Sequence, residues 1–342
     1  MPEINLLKNL VSIQSLSGEE KQAVDFLVKE SQDLDFDYVN RDEVGNFVAR
    51  KGNGENIVLM VGHIDTVPGY VPVKIKDNIL YGRGSVDAKG PLATFLWATH
   101  KMKRRDDLQV IVVGAVEEEG ISKGARFIRD KYLPKYIING EPSGISNITI
   151  GYKGAFRFDY IFGRTMSHGA SADTDMGIMA FNFIAKLKEK LKDLSKDLKD
   201  SIFYQPHLEI RNINTKNDGL QEQISMKINV RIPPDFDVDS LKEFLEDYPI
   251  VIYENLAPFV SPKNNDLVRS FLKQIRNANK KPKFLKKTGT ADFNTLAERF
   301  PEVPIVAYGP GDSSLDHTPN EHIDLNEYLE AIDILKNVLE NL

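Results

Sequence analysis

At residues 57–65 the chain reads IVLMVGHID, and at residues 110–119 it reads VIVVGAVEEE. Each stretch opens with a continuous apolar run rich in β-branched side chains, which is typical of a strand buried on both faces of a parallel sheet. Each stretch ends with ionisable side chains, at the point where the strand is expected to end. Helical patterns separate the strands along the chain, so the sequence predicts an α/β fold with a largely parallel sheet.

The chain shows two kinds of pattern. The first 35 residues predict two helices, the second capped by Ser17, and lead into the α/β pattern. Near residue 150 the pattern becomes that of a small antiparallel sheet with helices, and the α/β pattern returns after Pro258. We therefore predict a discontinuous α/β domain at residues 1–150 and 258–342, interrupted by an inserted α+β domain at 151–257. The insertion's predicted strands are 148–162, 207–213, 224–232 and 250–253, and its predicted helices are 176–198 and 240–246.

The composition is that of an ordinary globular protein of 342 residues, with 41% hydrophobic and 27% charged side chains. This length predicts about two domains. A formal net charge of −6 argues against a general nucleic-acid binder. Because cysteine is absent, any metal would be bound by His, Asp and Glu side chains. The lack of cysteine, of a long apolar run and of a signal-peptide pattern leads us to expect a cytoplasmic protein.

Ionisable side chains follow predicted strands at five places. In open α/β sheets the functional crevice lies at the carboxyl ends of the strands, so we expect these groups to converge there. Taken singly, each motif is more often a turn or a solvated loop. Their joint occurrence, with imidazoles and carboxylates but no thiolates, points to a site for one or two divalent ions. The motifs are His63 with Asp65, Asp87 within residues 82–90, Glu118 with Glu119, Glu141, and His317.

A hydrolytic site with two ions needs particular parts. One carboxylate bridges the ions, a carboxylate outside the metal shell takes a proton from water, and another orients a ligating histidine. Asp65, two residues from His63, is suited to the last role. Glu118 and Glu119 are suited to divide the duties of base and ligand, because neighbouring side chains at a strand end point in different directions.

Together these motifs resemble those of the M20 family of co-catalytic zinc amidohydrolases, which includes acetylornithine deacetylase, succinyl-diaminopimelate desuccinylase and carboxypeptidase G-type enzymes. The resemblance extends over essentially the whole chain. It implies a zinc-peptidase-like α/β domain whose inserted α+β domain serves as lid and dimerisation unit. Glu117 stands where the family often has aspartate. The matching segments are residues 62–67, 82–90, 118–120, 140–142 and 317–321.

The resemblance also implies a set of metal ligands and two catalytic residues. Asp87 would bridge two divalent ions in each subunit, zinc or alternatively cobalt. The other ligands would be His63 and Glu141 for one ion, and Glu119 and His317 for the other. The catalytic residues would be Glu118, as the general base, and Asp65, which would orient His63.

Four further residues are implied to bind substrate. His168 lies in a segment similar to the family's Gly-x-x-x-His, with one extra residue, and would stabilise the oxyanion in the partner subunit's site. Arg231 would hold a substrate carboxylate. Gly289 and Thr290 resemble the start of the family's substrate-contacting Gly-Thr-Ser-Asp turn, with Ala291 in place of serine. The family's Asn-x-x-Pro before the arginine strand is not evident here.

The implied substrate is an amide of lysine or ornithine. The chain is most similar to the branch that releases lysine, ornithine or both from the γ-carboxyl of the C-terminal glutamate of a small acidic amino-carrier protein, in lysine and arginine biosynthesis. Two other substrate classes stay open: the small N-acyl-amino acids of acetylornithine deacetylase or succinyl-diaminopimelate desuccinylase, and the free dipeptides of an M20 dipeptidase. A catalytically inactive binding protein is a further alternative, but it would not need every ligand position together with Glu118.

One feature supports a carrier-linked substrate independently. From Leu267 to Ala291 the chain has eight basic residues and no acidic ones, and this basic segment contains Gly289 and Thr290. A positive rim beside the site would attract an acidic protein and raise its encounter rate. The alternative interpretation is a solvated lysine-rich helix and loop.

Overall fold

The computed structural model describes residues 1–166 and 175–342. The helices are α1 (Pro2–Ser12), α2 (Lys21–Ser31), α3 (Lys89–Lys101), α4 (Lys123–Arg129), α5 (Met176–Leu194), α6 (Val238–Leu245), α7 (Asp266–Asn277), α8 (Asp292–Arg299) and α9 (Leu325–Glu340). The strands are β1 (Tyr38–Arg41), β2 (Phe47–Lys51), β3 (Asn56–His63), β4 (Lys74–Lys76), β5 (Ile79–Tyr81), β6 (Leu108–Ala115), β7 (Tyr136–Gly140), β8 (Asn147–Tyr152), β9 (Gly154–Thr165), β10 (His207–Asn217), β11 (Gln221–Ile232), β12 (Ile250–Leu256), β13 (Phe259–Val260), β14 (Lys283–Lys287), β15 (Ile305–Ala307) and β16 (His322–Asp324). Short 3₁₀ turns lie at Ile202–Tyr204 and Ser313–Leu315.

The chain divides into two compact units. The first comprises Met1–Gly151, Ser261–Lys286 and Ala291–Leu342. The second comprises Tyr152–Val260 and Lys287–Thr290. The second unit is therefore one continuous segment together with four residues from the C-terminal part of the chain. Among the described residues, no helix is both long enough and apolar enough to cross a membrane.

The first unit is built around a mixed sheet. Its strands follow the order β1-β2-β6-β3-β7-β15-β8, with β14 paired to β8. The central strands β6, β3, β7 and β15 are parallel, whereas β2 pairs antiparallel with β6. The residues from Val58 to Val61 are fully buried, as the continuous apolar run predicts. The predicted α/β fold with a largely parallel sheet is therefore confirmed at the centre of this sheet.

The strand register brings three strand ends to one edge of the sheet. Gly62 pairs with Gly140, and His63 pairs with Ala115, so the segments after β3, β6 and β7 leave from the same edge. A Cβ atom on Gly140 would lie 2.9 Å from the Cα of Gly62 and 3.0 Å from the ring of Phe95 in α3. Glycine at this position lets the two strands and the helix pack closely just below the site.

The second unit is an antiparallel sheet covered by helices. Its strand order is β10-β11-β9-β12, which leaves β12 at an edge. The helix α5 begins where the Asp175 carboxylate accepts the backbone N–H groups of Gly177 and Ile178. Its buried face packs into a core with the sheet, where Phe183 stacks on Tyr160.

The prediction of one strand over residues 148–162 is wrong. The structure shows two strands, β8 and β9, which belong to different sheets. The break falls at Lys153, which is buried and donates a hydrogen bond of 2.5 Å to the carbonyl of Gln205. Apolar and polar residues alternate on both sides of this break, so periodicity alone does not reveal it. The sequence pattern also did not predict β1, β13, β14, β16 or α8.

Candidate metal centre

Asp87 lies between two histidines. His63, the last residue of β3, places its Nε2 atom 3.0 Å from Asp87 Oδ1, and His317 places its Nε2 atom 3.0 Å from Asp87 Oδ2. Burial raises the pKa of Asp87, but the hydrogen bonds with His317 and His63 outweigh burial and hold this pKa below its usual range. Each oxygen of one carboxylate therefore faces a different imidazole, which is the arrangement that a bridging ligand between two ions needs.

His317 also contacts Glu119. Its Nε2 atom lies 2.6 Å from Glu119 Oε1, and its side chain is half exposed. The hydrogen bonds with Asp87 and Glu119 raise the pKa of His317 to about 10. The backbone of His317 is in the left-handed region, with φ of 61°, so the loop before β16 turns sharply at this residue.

His63 is oriented through its other ring nitrogen. Its Nδ1 atom lies 3.0 Å from the backbone oxygen of Asp65 and 3.5 Å from Asp65 Oδ1, and this contact leaves Nε2 facing Asp87. Burial lowers the pKa of His63, but its hydrogen bonds with Asp65 and Asp87 raise the pKa well above the usual value. An outer carboxylate that fixes a histidine in this way is typical of metal sites.

The Asp65 carboxylate is also an anchor for the rest of the site. It accepts hydrogen bonds from the backbone N–H of Glu118 at 3.1 Å, the backbone N–H of Glu119 at 3.0 Å and the hydroxyl of Ser17 at 2.7 Å. The prediction that Ser17 caps the second helix is wrong, because α2 starts at Lys21 with Glu20 as its N-cap residue. The partner of Ser17 lies 48 residues away in sequence, beyond the reach of any local capping pattern.

The turn that carries Glu118 and Glu119 begins with an unusual backbone. Glu117 has a φ of 58°, in the left-handed region that few non-glycine residues adopt. Its carbonyl accepts the backbone N–H of Gly120 at 3.3 Å and of Ser122 at 2.7 Å, which closes the turn. The left-handed residue thus redirects the chain at the end of β6, and the next two N–H groups reach Asp65.

Glu118 retains a proton more readily than an ordinary glutamate. Burial raises its pKa well above the usual value, although the charge of His63 opposes the rise. The negative charges of Asp292, Glu141 and Glu119 raise the pKa further. A carboxyl group in this setting is suited to hold and release a proton during a reaction.

Among the described residues, the potential ligands form two overlapping clusters. In each, one nitrogen or oxygen atom from every member lies within 4.8 Å of the others. Glu141 is in neither, although it is buried and its charge acts on Glu118. The ligands predicted for one ion, Asp87, Glu119 and His317, thus lie together. Of those predicted for the other ion, His63 contacts Asp87, whereas Glu141 lies outside both clusters. The clusters are Asp87, Glu119 and His317, and His63, Glu118 and Glu119.

These residues fit a pair of divalent ions. The donor atoms are imidazole nitrogens and carboxylate oxygens, which suit zinc, cobalt and manganese. Asp87 contacts both histidines and can serve as a shared ligand, and Glu119 belongs to both clusters. The site can therefore hold two ions side by side.

Three of the four residues predicted to bind substrate lie in the second unit. Arg231 Nη1 donates to Thr290 Oγ1 at 3.0 Å. Arg231 also lines a cavity of about 470 Å³ with Lys153 and Gly289. Burial lowers the pKa of Arg231, and burial together with the charge of Arg231 lowers the pKa of Lys153 to about 8. The fourth residue, His168, lies outside the described residues.

Three residues of the centre make contacts that the sequence did not predict. Ser17 donates to Asp65, Asp292 adds its charge to Glu118, and Glu321 accepts the backbone N–H of Asp87 at 3.2 Å. Asp292 occupies the aspartate position of the turn that starts at Gly289, and Glu321 ends the matching segment 317–321, so a signal was present for both. Ser17 carries no such signal.

Comparison with known proteins places this geometry in context. The family model described as Peptidase family M20/M25/M40 matches residues 59–341. A protein of Thermococcus kodakarensis, provisionally named a LysW-lysine/LysW-ornithine hydrolase, is 42% identical over 99% of this chain and 92% of its own length. A protein of Deinococcus radiodurans named LysW-lysine hydrolase is 36% identical over 98% of this chain and 96% of its own length.

Solved structures share the fold at low sequence identity. The M20 family metallo-carboxypeptidase Sso-CP2 of Sulfolobus solfataricus matches with a TM-score of 0.76 and 19% identity, over 99% of this chain and 98% of that one. The YXEP protein of Bacillus subtilis, described as a dinuclear metal binding peptidase from the M20 family, matches with a TM-score of 0.65 and 13% identity, over 99% and 96% of the two chains. At such identities the similarity concerns the fold alone.

Proposed function

The chain belongs to peptidase family M20/M25/M40, a family of metal-dependent hydrolases of linear amides, and from this premise we propose its substrate. The substrate is the amide that joins lysine, ornithine or both to the γ-carboxyl of the C-terminal glutamate of an acidic amino-carrier protein of the LysW type. The enzyme would act in lysine and arginine biosynthesis. The cytoplasmic location stays a prediction.

Two observations support this proposal. The metal-dependent hydrolysis is supported by the contacts of Asp87, whose two carboxylate oxygens each contact a different histidine beside Glu118 and Glu119. The choice of substrate is supported by the whole-chain similarity to relatives named LysW hydrolases, with 36% and 42% identity for the two described above.

We assign the residues as follows. Two bound divalent ions, zinc or alternatively cobalt, would supply a water molecule of lowered pKa and polarise the amide carbonyl. Glu118 accepts the proton from that water and returns it to the leaving amine. Asp65 keeps His63 oriented and holds the turn that carries Glu118. The ligands are His63, Asp87, Glu119, Glu141 and His317.

The second unit offers groups for the anionic parts of the substrate. Arg231 and Lys153 line the same cavity, and a guanidinium can bind a carboxylate through two parallel hydrogen bonds. The released amino acid has a free carboxylate, which Arg231 would hold. Gly289, which lines the same cavity, and Thr290, which accepts a hydrogen bond from Arg231, would contact the substrate. His168 would contribute to oxyanion stabilisation in the partner subunit's site.

We propose that the carrier protein docks on a basic rim formed by Lys280, Lys281 and Lys283. The backbone N–H of Lys283 donates to the carbonyl of Ser146 at 3.1 Å, five residues after Glu141. Lys281 and Lys283 are exposed and supply most of the positive charge, whereas Lys280 is partly buried and forms an ion pair of 3.0 Å with Glu330. These positive charges lie next to the loop that leaves the metal edge of the sheet, which is where an acidic partner would be attracted.

Two other residues of the basic segment lie elsewhere. Arg269 and Lys273 in α7 line a cavity of about 430 Å³ with Asn56, Leu108 and Tyr136. Those three residues start the parallel strands β3, β6 and β7, so this cavity lies at the edge of the sheet opposite the metal centre. The docking proposal therefore concerns only the rim and not the whole segment.

We also propose a homodimer formed through the second unit. The helix α5 exposes Phe181 to 70%, and the edge strand β12 exposes Val251 to 56% and Tyr253 to 52%. Apolar side chains on an open sheet edge and a neighbouring helix are typical of a surface that a second copy covers. Light scattering of the wild type and of the variant Phe181→Asp tests this: a wild type that is monomeric at micromolar concentration contradicts it.

One experiment tests the substrate assignment. The zinc- or cobalt-loaded enzyme is incubated separately with carrier-linked lysine, carrier-linked ornithine, acetylornithine, succinyl-diaminopimelate and a free dipeptide, and products are identified by mass spectrometry. We expect release of lysine, ornithine or both from the carrier, with kcat/KM at least about 100-fold above that for the small substrates. Faster hydrolysis of a small acyl-amino acid or of the dipeptide would overturn the assignment.

A further inference from the structure

Glu321 is a buried carboxylate that holds the segment carrying Asp87. It is fully buried, and its Oε1 atom accepts the backbone N–H of Val86 at 3.1 Å and of Asp87 at 3.2 Å. Its Oε2 atom accepts a hydrogen bond of 2.7 Å from Arg83 Nη1, and its own carbonyl accepts the backbone N–H of Gly82 at 3.2 Å. One residue thus fixes the segment 82–87 at four points.

The same residue lies four positions after His317. The chain from His317 to Glu321 is short, so the anchor that fixes Asp87 also limits where the His317 side chain can lie. The two side chains that Glu321 links are the ones that meet at 3.0 Å in the metal centre. The hydrogen bonds from Val86 and Asp87 to Glu321 are buried, where a charge-assisted hydrogen bond keeps its strength.

Arg83 completes this arrangement. A carboxylate without exposure to solvent needs a compensating charge, and Arg83 provides it at 2.7 Å. Arg83 is held in turn, because its Nε atom donates to the carbonyl of Gly69 at 3.0 Å. The pair therefore forms a rigid support outside the set of metal ligands.

We propose that Glu321 is a positioning residue that sets the distance between Asp87 and His317. It thereby determines how tightly the protein binds the metal ion whose ligands are Asp87, Glu119 and His317. This inference rests on the proposed function insofar as the centre binds two ions. A support of this kind typically changes metal affinity by about 10- to 100-fold when it is removed. Glu321 is in neither cluster of potential ligands.

The substitution Glu321→Gln is the sharpest test because it keeps the shape and removes the charge. In either orientation of the new amide, its NH₂ group faces another donor, either Arg83 or the backbone N–H groups of Val86 and Asp87. Metal-free protein is titrated with Zn²⁺ in a calorimeter, and the visible absorption spectrum of the Co²⁺-loaded protein is recorded. We expect the weaker of the two dissociation constants to rise at least about tenfold and the Co²⁺ bands to shift.

Asp237→Ala is the matched control. Asp237 accepts the backbone N–H and the hydroxyl of Ser240 at the start of α6, so its loss removes hydrogen bonds of a helix start in the second unit and none in the unit that contains Asp87. This variant should melt at a lower temperature yet bind both ions as the wild type does. A merely structural role for Glu321 would make Glu321→Gln behave in the same way, which overturns the inference.

A conservative variant covers the case in which Glu321→Gln does not fold. Glu321→Asp keeps the charge but shortens the side chain by one methylene, so it cannot reach Arg83 and both N–H groups together. We expect a raised dissociation constant for one ion, and unchanged binding of both ions refutes the inference. A wild-type protein that binds fewer than two ions would instead overturn the proposed metal chemistry, and this inference with it.

Discussion

One carboxylate oxygen of Asp65 lies 3.0 Å from the backbone nitrogen of Glu119, although the two residues are 54 positions apart in sequence. The other oxygen of Asp65 accepts the backbone N–H of Glu118, and the same residue contacts the ring of His63. The orientation of one ligand and the position of the general base are therefore coupled through a single buried carboxylate. A change at Asp65 should affect both metal binding and proton transfer.

We expect Asp65→Asn to weaken metal binding by about 10- to 100-fold and to lower kcat as well. The asparagine would turn an NH₂ group toward either the N–H of Glu118 or that of Glu119, so the turn must shift. Metal titration and steady-state kinetics at saturating metal measure the two effects separately. Ser17→Ala removes only one hydrogen bond to Asp65 and serves as the milder control. If Asp65→Asn lowers metal affinity but keeps full kcat when saturated with metal, the proposed coupling is absent.

Glu118 and Glu117 provide a matched pair for testing the general base. We expect Glu118→Gln to keep two bound ions and to lower kcat by about 10²- to 10⁴-fold, because the variant cannot accept a proton. The same change at Glu117, whose carboxylate pairs with Lys123 at the surface of the turn, should leave kcat within about threefold of the wild type. Near-normal turnover by metal-loaded Glu118→Gln would show that another group is the base.

Most of the centre could be predicted from the sequence because its residues follow strand ends. A parallel sheet collects such ends at one edge, so His63, Glu118 and Glu141 could be grouped before any coordinates. The contacts of Ser17 and Glu321 could not, since each depends on a partner 48 or more residues away and no local pattern encodes it.

The strand assignments failed for a related reason. The segment Lys283–Lys287 is too rich in lysine to predict a strand, yet it becomes β14 because β8 offers it a partner. The break at Lys153 was hidden because the alternation of apolar and polar residues continues through it. Local periodicity indicates which face of a strand or helix is buried, but the tertiary structure determines which strand it pairs with.

Asp292 gives a prediction about pH. Burial raises its pKa from 3.8 to about 7. When the pKa of a carboxyl is higher in the folded state, the unfolded state releases its proton at a lower pH than the folded state does. The free energy of unfolding therefore falls as the pH rises from about 4 to 7. Metal-free Asp292→Asn should therefore be more stable than the wild type at pH 8, by roughly 2–4 kcal/mol, with a difference that vanishes near pH 4. Thermal melts across this range measure it, with exposed Asp33→Asn as the control. A stability difference that does not vary with pH would contradict this origin.

The basic rim allows the carrier-docking proposal to be tested against a control from the same basic segment. Lys281→Glu with Lys283→Glu should raise KM for carrier-linked lysine about tenfold or more at low salt and leave a small acyl-amino acid unaffected, because only the protein substrate reaches the rim. Added salt should shrink the effect, since exposed charges are screened. Arg269→Glu with Lys273→Glu changes the net charge equally at the opposite edge of the sheet and should alter KM by less than about twofold. Equal increases for both double variants would mean that net charge, and not the rim, attracts the carrier.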